Sequence, residues 1–482
     1  MLYRQNFDTF IRIYEDVGYI VNKSNFKDHV TDKSGSVFLK ALSRKPKSID
    51  ELVKEISSAF INIDMSVLKQ DAIDFFQLLE EDGFIVSGNT PQELDNKDKR
   101  FSYSQFLPKT IREDFTPEAF RAEKDTQYYL ENYFKNKPHL TQFQIELTSR
   151  CNENCLHCYI PHDNRTEDID PMLYYNVLEQ CKDMGVLDLT LSGGEPMLHP
   201  EFFNFLRKAK EYDFSINILS NLTVLTDEII MEMKANRLSS VQVSLYSMKP
   251  EIHDSITRVS GSFEKTKSAI LKLINNEIPL QISCPVMKQN KKCYVEVSNW
   301  AEEKKVRAVA DYIIMGRYDN TADNLDNRLS VDEVGEIIND IIENDILYRD
   351  RLFEADFYEV VKRDLGEDII CGVCISSICM VANGNIYPCA GWQNYICGSL
   401  KEQSLREIWD NSPKVKYLRN LKKKDMPKCL NCPYIHFCAI CMVRNANESR
   451  DGNLFEINEH FCKIAALNRK IVLDWKARMQ AG

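Results

Sequence analysis

The chain lacks three features that would place it in common classes of protein. It has no excess of positive charge, because 61 lysines and arginines stand against 72 acidic residues for a net charge of −11, and this balance does not favour a nucleic-acid partner. It has no apolar run of 18 residues that would predict a membrane span. Its first residues also lack the pattern of a signal peptide. We therefore expect a cytoplasmic protein.

Cysteine, in contrast, is abundant. The chain has 16 cysteines in 482 residues, and ten of them lie between Cys371 and Cys462. Secreted disulfide-rich chains are usually short, so we expect these cysteines to bind metal.

Three cysteines form the densest motif. Cys151, Cys155 and Cys158 have C-x3-C-x2-C spacing and follow a strand-like run at 143–148. Three thiolates this close can hold three corners of a cubane iron–sulfur cluster and leave the fourth iron without a protein ligand. That iron is then open to the amino and carboxylate groups of a small molecule. A zinc site is the alternative, but zinc usually recruits a fourth ligand at finger or ribbon spacing, and only His157 is near.

A second motif, Ser192-Gly-Gly-Glu-Pro196, follows the next strand-like run. Its glycines let the backbone approach a ligand, and Glu195 can accept a hydrogen bond from an ammonium group. An ordinary turn is the alternative. With the cysteines before it, this segment resembles the radical SAM superfamily, whose enzymes bind S-adenosylmethionine and a [4Fe–4S] cluster. The resemblance implies cofactor contacts, with Arg258 on the cofactor carboxylate unless it is a plain surface arginine. The expected cofactor-binding residues are Tyr159, Gly193, Gly194, Glu195, Ser220, Asn221, Ser244 and Arg258.

Residues 141–316 alternate strand and helix patterns, which predicts an α/β fold. Six such units suit a partial (β/α)6 TIM-like barrel, with chemistry at the C-terminal ends of the strands. We expect strands at 143–147, 187–191, 215–219, 240–245, 280–285 and 307–314. We expect helices at 171–184, 201–212, 227–236, 263–275 and 295–304.

Residues 1–88 predict a winged-helix-like α+β domain. A hairpin over 10–21 precedes helices at 32–42, 49–60 and 66–81 and a strand at 84–86. This order resembles the leader-recognition element of enzymes that modify ribosomally made peptides. A DNA-binding winged helix is the alternative, but the helices lack a basic stripe. Residues 89–140 are expected to be a linker with a helix over 117–134, and 317–370 a bridging region with a helix over 331–347.

Residues 371–482 resemble the SPASM extension, through Cys374-x9-Gly384-x4-Cys389 and the cysteines that follow. That family carries two auxiliary [4Fe–4S] clusters, which would make three clusters in all. The resemblance assigns one to Cys371, Cys374, Cys389 and Cys441. It assigns the other to Cys429, Cys432, Cys438 and Cys462. Cys379 could replace Cys371, and a pair of zinc ribbons is the alternative. Residue 390 is Ala, where sulfatase-activating relatives carry an acidic residue.

The combined resemblance implies a maturase of a ribosomally synthesised precursor peptide. The expected reaction joins a peptide cysteine sulfur to a carbon after hydrogen abstraction by a 5′-deoxyadenosyl radical. Carbon–carbon or carbon–oxygen crosslinking and epimerisation are alternatives, and a non-catalytic iron–sulfur peptide chaperone is an alternative of another class. The expected partners are a leader peptide that pairs beside the 10–21 hairpin and a one-electron reductant such as flavodoxin or ferredoxin. No nucleic-acid or membrane partner is expected.

Overall fold

The computed structural model describes most of the chain, with its longest gaps in the two connecting regions. The described residues are 1–105, 126, 129–130, 133–135, 137–163, 165–344 and 365–481. Most of the helix expected over 117–134 lies outside them. Within these residues no helix combines the length and the apolar character needed to cross a bilayer.

The N-terminal unit contains two small sheets and three main helices. One sheet has the strand order β5-β1-β6 and the other β2-β3-β4. The strands are β1 Leu2–Gln5, β2 Thr9–Tyr14, β3 Val17–Asn22, β4 Lys27–Thr31, β5 Lys47–Ser48 and β6 Ile85–Gly88. The helices are α1 Lys33–Ala41, α2 Ile49–Ser57 and α3 Met65–Glu81, followed by α4 Pro91–Lys97. The expected hairpin, helices and final strand are all present. The sequence did not reveal β1 or β4, and β1 is stabilised by pairing with β6, about eighty residues away.

Six parallel strands follow, and they lie side by side in chain order. They are β7 Gln142–Thr148, β8 Asp188–Gly193, β9 Ser215–Ser220, β10 Leu238–Ser244, β11 Leu280–Pro285 and β12 Arg307–Asp311. The helices among them are α5 Pro171–Asp183, α6 Phe202–Glu211, α7 Asp227–Ala235, α8 Pro250–Thr257, α9 Ser262–Asn275 and α10 Tyr294–Glu303. The expected strands and helices are thus confirmed, and α8 is additional. Consecutive parallel order is what a (β/α) barrel requires, and closure into a partial barrel stays a prediction.

The two faces of this sheet differ because side chains alternate along each strand. Apolar residues such as Phe143, Ile145, Ile218 and Val243 are buried in the main core. Polar residues occupy the other face, here called the polar face. They are Gln144, Glu146, Thr190, Ser192, Asn217, Gln242, Ser244, Gln281 and Ser283. Most are only half-buried, so this face offers hydrogen-bonding groups to a polar ligand instead of a second apolar core.

The C-terminal region extends the same sheet. β13 (Ser377–Met380) pairs in parallel with β7, and Ser377 lies opposite Gln142. β14 (Asn385–Tyr387) and β15 (Gly398–Ser399) continue the sheet in antiparallel order. The remaining helices are α11 Val331–Asn344, α12 Leu405–Asn411, α13 Pro413–Asn420, α14 Pro427–Leu430, α15 Met442–Glu448 and α16 Glu459–Ala481. This pairing places the cysteine-rich region beside the strand that leads into Cys151.

The N-terminal unit docks on the parallel-sheet unit through Asp213, in the loop between α6 and β9. Arg44 and Arg237 each donate to the Asp213 carboxylate at 2.7 Å. Arg12, on β2, donates to the carbonyl oxygens of Asp213 at 2.7 Å and Val186 at 2.9 Å. β2 therefore faces the parallel-sheet unit, and β4 is the opposite edge of its sheet.

Candidate active site

The cysteine loop begins where β7 ends, and the Gly-Gly pair at the end of β8 packs directly against it. Gly194 donates to the Thr148 carbonyl at 2.8 Å, and Glu195 donates to the Arg150 carbonyl at 2.8 Å. A Cβ at residue 194 would lie 2.2 Å from the Arg150 oxygen. Gly193 has a φ of +142°. Both glycines are therefore needed to bring β8 against the loop.

The far side of the cysteine loop rests on the end of α8. Asn154 donates to the Thr257 carbonyl and Leu156 to the Ile256 carbonyl, both at 3.0 Å. Arg258 follows at once, exposed and in the left-handed region with a φ of 58°. This places Arg258 beside the loop, where its expected contact with the cofactor carboxylate stays a prediction.

The three thiols of the loop have different neighbours. Cys155 donates to Glu153 Oε2 at 3.3 Å and lies 3.8 Å from the Tyr246 hydroxyl. Arg165 donates to Cys158 Sγ at 3.4 Å. Burial raises the pKa of Cys151 to about 11. Metal ligation is what makes such thiols thiolates.

The donor set fits an iron–sulfur cluster better than zinc. His157, the only expected fourth zinc ligand, has its Nε2 atom 2.9 Å from the Tyr246 hydroxyl. Burial lowers the pKa of His157 to about 4. Across the described ranges, no three His, Cys, Asp or Glu side chains converge as a single metal ion would require. The three partly exposed thiols on one loop are those that would hold the cluster.

Glu195 is fully buried and connects the ends of β8 and β9. Its carboxylate accepts hydrogen bonds from Ser220 Oγ at 2.9 Å, Asn221 N at 2.8 Å and Met197 N at 3.1 Å. Burial raises the pKa of Glu195 to about 7. Asn221 also donates to Asn152 of the cysteine loop at 2.9 Å. The structure thus brings Glu195, Ser220 and Asn221 together, but it turns the Ser220 hydroxyl toward Glu195. Their cofactor contacts stay predictions.

Tyr246 lies two residues after Ser244, at a strand end from which side chains were expected to reach the cofactor. Its hydroxyl lies next to His157 and Cys155, and Ser244 hydrogen-bonds to it. The Tyr246 amide donates to His253 Nδ1 at 3.3 Å. Ser244 therefore reaches the cysteine loop through Tyr246. Its position just after a strand end was the only available signal.

Glu146, on the polar face, was not predicted from the sequence. It is 5% exposed, and Gln393 donates to its Oε1 atom at 2.8 Å while also contacting the Ala390 carbonyl. Burial raises the pKa of Glu146 to about 7, against the hydrogen bond from Gln393 and the charge of Arg165. Gln393 therefore connects the Glu146 carboxyl group to Ala390, the position where sulfatase-activating relatives carry an acidic residue.

Tyr159 lies between the two cysteine-rich regions. Burial raises its pKa well above the usual value, and four neighbouring acidic groups raise it further. Those groups are Glu146, Cys158, Cys389 and Cys379. Tyr159 therefore neighbours auxiliary cysteines as well as the loop, and its contact with the cofactor stays a prediction.

The thiols expected in the first auxiliary group neighbour one another. Burial raises the pKa of Cys389 to about 11, with further increases from Cys441 and Cys371. Burial likewise raises the pKa of Cys371, and Cys441 and Cys374 raise it further. Cys374 is fully buried and also hydrogen-bonds to Cys397. Ligation of a cluster by these thiols, and the choice between Cys371 and Cys379, stay predictions.

The thiols expected in the second auxiliary group lie near one another. Burial raises the pKa of Cys438 to about 11, and the charges of Cys462, Cys429 and Cys432 raise it further. Cys429, Cys438 and Cys462 also line one small cavity. Cys441, which the crossed assignment gives to the first group, lines the same cavity. The division of these thiols between two clusters stays a prediction.

Two segments of the chain match known families. Residues 145–301 match the radical SAM superfamily, and residues 371–433 match the SPASM iron–sulfur cluster-binding domain. The chain therefore carries both domains. A radical SAM domain implies S-adenosylmethionine and a [4Fe–4S] cluster, and a SPASM domain binds auxiliary iron–sulfur clusters.

Individual proteins resemble the chain at low identity. The AdoMet-dependent heme synthase of Methanosarcina barkeri is 26% identical over 337 residues, which cover 64% of this chain and 92% of that protein. The subtilosin biosynthesis protein AlbA of Bacillus subtilis is 24% identical over 320 residues, which cover 64% of this chain and 68% of AlbA. The structure of Streptococcus suis SuiB bound to its precursor peptide SuiA aligns with a TM-score of 0.63 at 16% identity, covering 95% of this chain and 99% of SuiB. That likeness concerns the fold.

Proposed function

We propose that this chain, with its radical SAM and SPASM domains, is an enzyme that modifies a ribosomally synthesised precursor peptide, and that it forms cysteine sulfur-to-carbon thioether crosslinks. The observation that carries the proposal is the joining of three units in one molecule. A docked N-terminal unit, the cysteine loop and the auxiliary cysteines share one framework, which aligns along 95% of its length with SuiB.

Cys151, Cys155 and Cys158 would hold the cluster that binds the cofactor. When bound, cluster and cofactor supply the 5′-deoxyadenosyl radical that removes a hydrogen atom from the peptide. The protein must hold the target C–H bond near the loop and keep other hydrogen donors away. The half-buried hydroxyl and amide groups of the polar face suit a peptide backbone for this task.

Thioether formation releases one proton and one electron when a carbon radical joins a thiol. Glu146 is the carboxyl group best placed to accept that proton, since it lies between Tyr159 and Cys379. Cys371, Cys374, Cys389 and Cys441 would hold an iron–sulfur group that supplies an electron acceptor. The electron for cofactor cleavage would come from an external reductant.

The leader peptide would pair with β4. The expected pairing beside the 10–21 hairpin must move to this strand, because β3 is central and Arg12 and Arg44 hold β2 against the parallel-sheet unit. β4 is half exposed and lies at the sheet edge, so its backbone can add a further strand.

A heme-type reaction is the second candidate, because the M. barkeri heme synthase aligns over 337 residues. That alignment leaves about a third of this chain without a counterpart, whereas the alignment with SuiB does not. A change in the spectrum of an added iron tetrapyrrole, without any change in peptide mass, would favour this candidate.

The test is mass spectrometry of a short peptide encoded beside this gene, after anaerobic co-expression. We expect the loss of two hydrogens per crosslink and protection of the same number of cysteines from alkylation. A mass loss with all cysteines still alkylated would point to carbon–carbon or carbon–oxygen bonds. An unchanged mass with an inverted stereocentre would point to epimerisation, and an unmodified peptide would contradict the proposal.

Replacing Cys151, Cys155 and Cys158 together with Ala should abolish cofactor cleavage while iron remains in the C-terminal region. The reason is that these thiols alone would hold the cofactor-binding cluster. 5′-Deoxyadenosine from the reduced, reconstituted protein and its iron content are the measurements. Cys293→Ala, at a buried site distant from the loop in sequence, is the control. Turnover by the triple variant would show that the cofactor site is elsewhere, and no cleavage by wild type would favour a chaperone.

A further inference from the structure

Three arginines surround His162, just beyond the cysteine loop. Burial lowers the pKa of His162 to about 4, and the charges of Arg165, Arg317 and Arg258 lower it further, while Asp323 opposes them. His162 is therefore neutral near pH 7, and the arginines carry the local charge. Positive charge is concentrated here although the chain as a whole is acidic.

Two nitrogen atoms in this cluster are buried without a hydrogen-bond partner among the described residues. They are Arg317 Nε and His162 Nε2. The Arg317 side chain is 13% exposed, and its Nη2 atom pairs at 3.0 Å with Asp323, which is 63% exposed. A buried donor without a partner is destabilising, because it has lost its hydrogen bonds to water. A ligand that accepts hydrogen bonds would remove this destabilisation.

The backbone that carries Arg317 is held from both sides. Tyr318 donates to the Tyr159 carbonyl at 3.3 Å, and Asn320 donates to the Ala446 carbonyl of α15 at 3.0 Å. This loop therefore lies between the cysteine loop and the SPASM region.

The Arg165 side chain is also fixed by hydrogen bonds to the backbone. It donates to the carbonyls of Ile160 at 2.7 Å and Pro161 at 3.0 Å. The arginines are thus positioned before any ligand arrives, which reduces the entropy lost on binding.

We propose that His162, Arg165 and Arg317 form a binding site for a carboxylate side chain of the substrate peptide. The proposal rests on the proposed function, because it requires a peptide substrate. A guanidinium group matches a carboxylate through two parallel hydrogen bonds. The unpartnered Arg317 Nε supplies one donor, and His162 Nε2 supplies another in the tautomer that carries its proton there. Arg258 is the residue expected to bind the cofactor carboxylate. The Arg317 loop lies on the side of the auxiliary cysteines, and a peptide that is crosslinked must extend to that side.

The test measures binding without turnover, so that it can fail independently of the proposed function. The probes are N-acetyl-glutamate methylamide and its neutral glutamine counterpart, added to the anaerobically reconstituted holoenzyme and followed by NMR line broadening. We expect the wild type to bind the acidic probe at least tenfold more tightly. Arg317→Gln should lose this preference and leave the affinity for S-adenosylmethionine, from calorimetry, within twofold. Arg307→Gln, an exposed arginine at the opposite end of β12, is the control and should change neither.

Asp323→Asn is a second variant, at an exposed position that should not affect folding. It removes the anion that competes for Arg317, so it should bind the acidic probe more tightly than wild type. Equal binding of the two probes to wild type, or no gain in Asp323→Asn, would overturn the proposal. The proposal would also be overturned if Arg317→Gln lost as much affinity for S-adenosylmethionine as for the acidic probe. That result would assign the site to the cofactor carboxylate.

Discussion

At the scale of single residues, several functional groups have unusual ionisation because they are buried. Glu146, Glu153 and Glu195 each have a pKa raised to about 7 by burial. Glu195 uses its hydrogen bonds to join two strand ends, and Glu153 lies against Cys155. Glu146 has one hydrogen-bond donor, Gln393, and faces the region between the two sets of cysteines. It is therefore the carboxyl group most available to exchange a proton with a substrate.

Glu146→Gln should change the pH dependence of stability. A carboxyl group with a raised pKa binds its proton more tightly in the folded state, so its stabilising contribution is complete below about pH 4.5 and is lost as the pH rises toward 7. Between pH 5 and pH 8, the wild type should lose melting temperature relative to the variant, on the order of 2 °C or more. Scanning calorimetry on anaerobic protein measures this difference. The control Glu167→Gln, at an exposed position, should differ from the wild type in melting temperature by the same amount at every pH. The prediction would be contradicted if the difference in melting temperature between Glu146→Gln and the wild type were also independent of pH.

At the scale of elements, the junction between β8 and the cysteine loop is the closest packing in the site. Thr148 O lies 2.3 Å from where a Cβ of residue 193 would be, and Arg150 O lies 2.2 Å from that of residue 194. Backbone atoms cannot move aside as a flexible side chain can. The position of the cysteines therefore depends on how closely β8 approaches β7.

Gly194→Ala should displace the cysteine loop. We expect a fall in cofactor cleavage of tenfold or more and a loss of about 1–3 kcal/mol of stability, since the loop or the strand end must move. 5′-Deoxyadenosine formation and the melting temperature are the measurements. Gly372→Ala is the matched control, because its nearest contact would be an ordinary one of 3.4 Å to Ser376 Oγ. Full activity of Gly194→Ala would show that the loop does not depend on this packing.

At the scale of the whole molecule, the units are connected by polar contacts and by one continuous sheet. Asp213 joins the N-terminal unit to the parallel-sheet unit through Arg12, Arg44 and Arg237. The pairing of β13 with β7 joins the SPASM region to the same unit. A peptide held at β4 would therefore be held at a defined distance from the cysteine loop.

Asp213→Ala should loosen the N-terminal unit. The substitution removes the carboxylate with which Arg12, Arg44 and Arg237 pair, and such a loss costs about 1–3 kcal/mol. Hydrogen exchange should become faster in β2 and near Val186, while cofactor cleavage without peptide should stay within twofold. Asp227→Ala, whose carboxylate is 79% exposed in its pair with Lys272, is the control. Unchanged exchange in β2 would mean that apolar contacts alone hold the unit.

The sequence by itself determined the elements and the principal motifs. Strands β7 to β12 and their helices other than α8 follow from alternating and helical apolar patterns. The cysteine motif of Cys151, Cys155 and Cys158 is recognised from its spacing. Both signals are local in the chain. The assignment of Cys429, Cys432, Cys438 and Cys462 to a second auxiliary group comes from a family pattern and stays a prediction.

Only the tertiary structure decided which distant groups meet. It placed Glu146 beside Gln393, paired Cys374 with Cys397, left β4 as the sheet edge and gathered three arginines around His162. Each of these contacts joins segments that the chain separates by loops or by other elements. Their side chains come into contact only when strands pair and loops pack. Periodicity and spacing in the sequence do not predict such contacts.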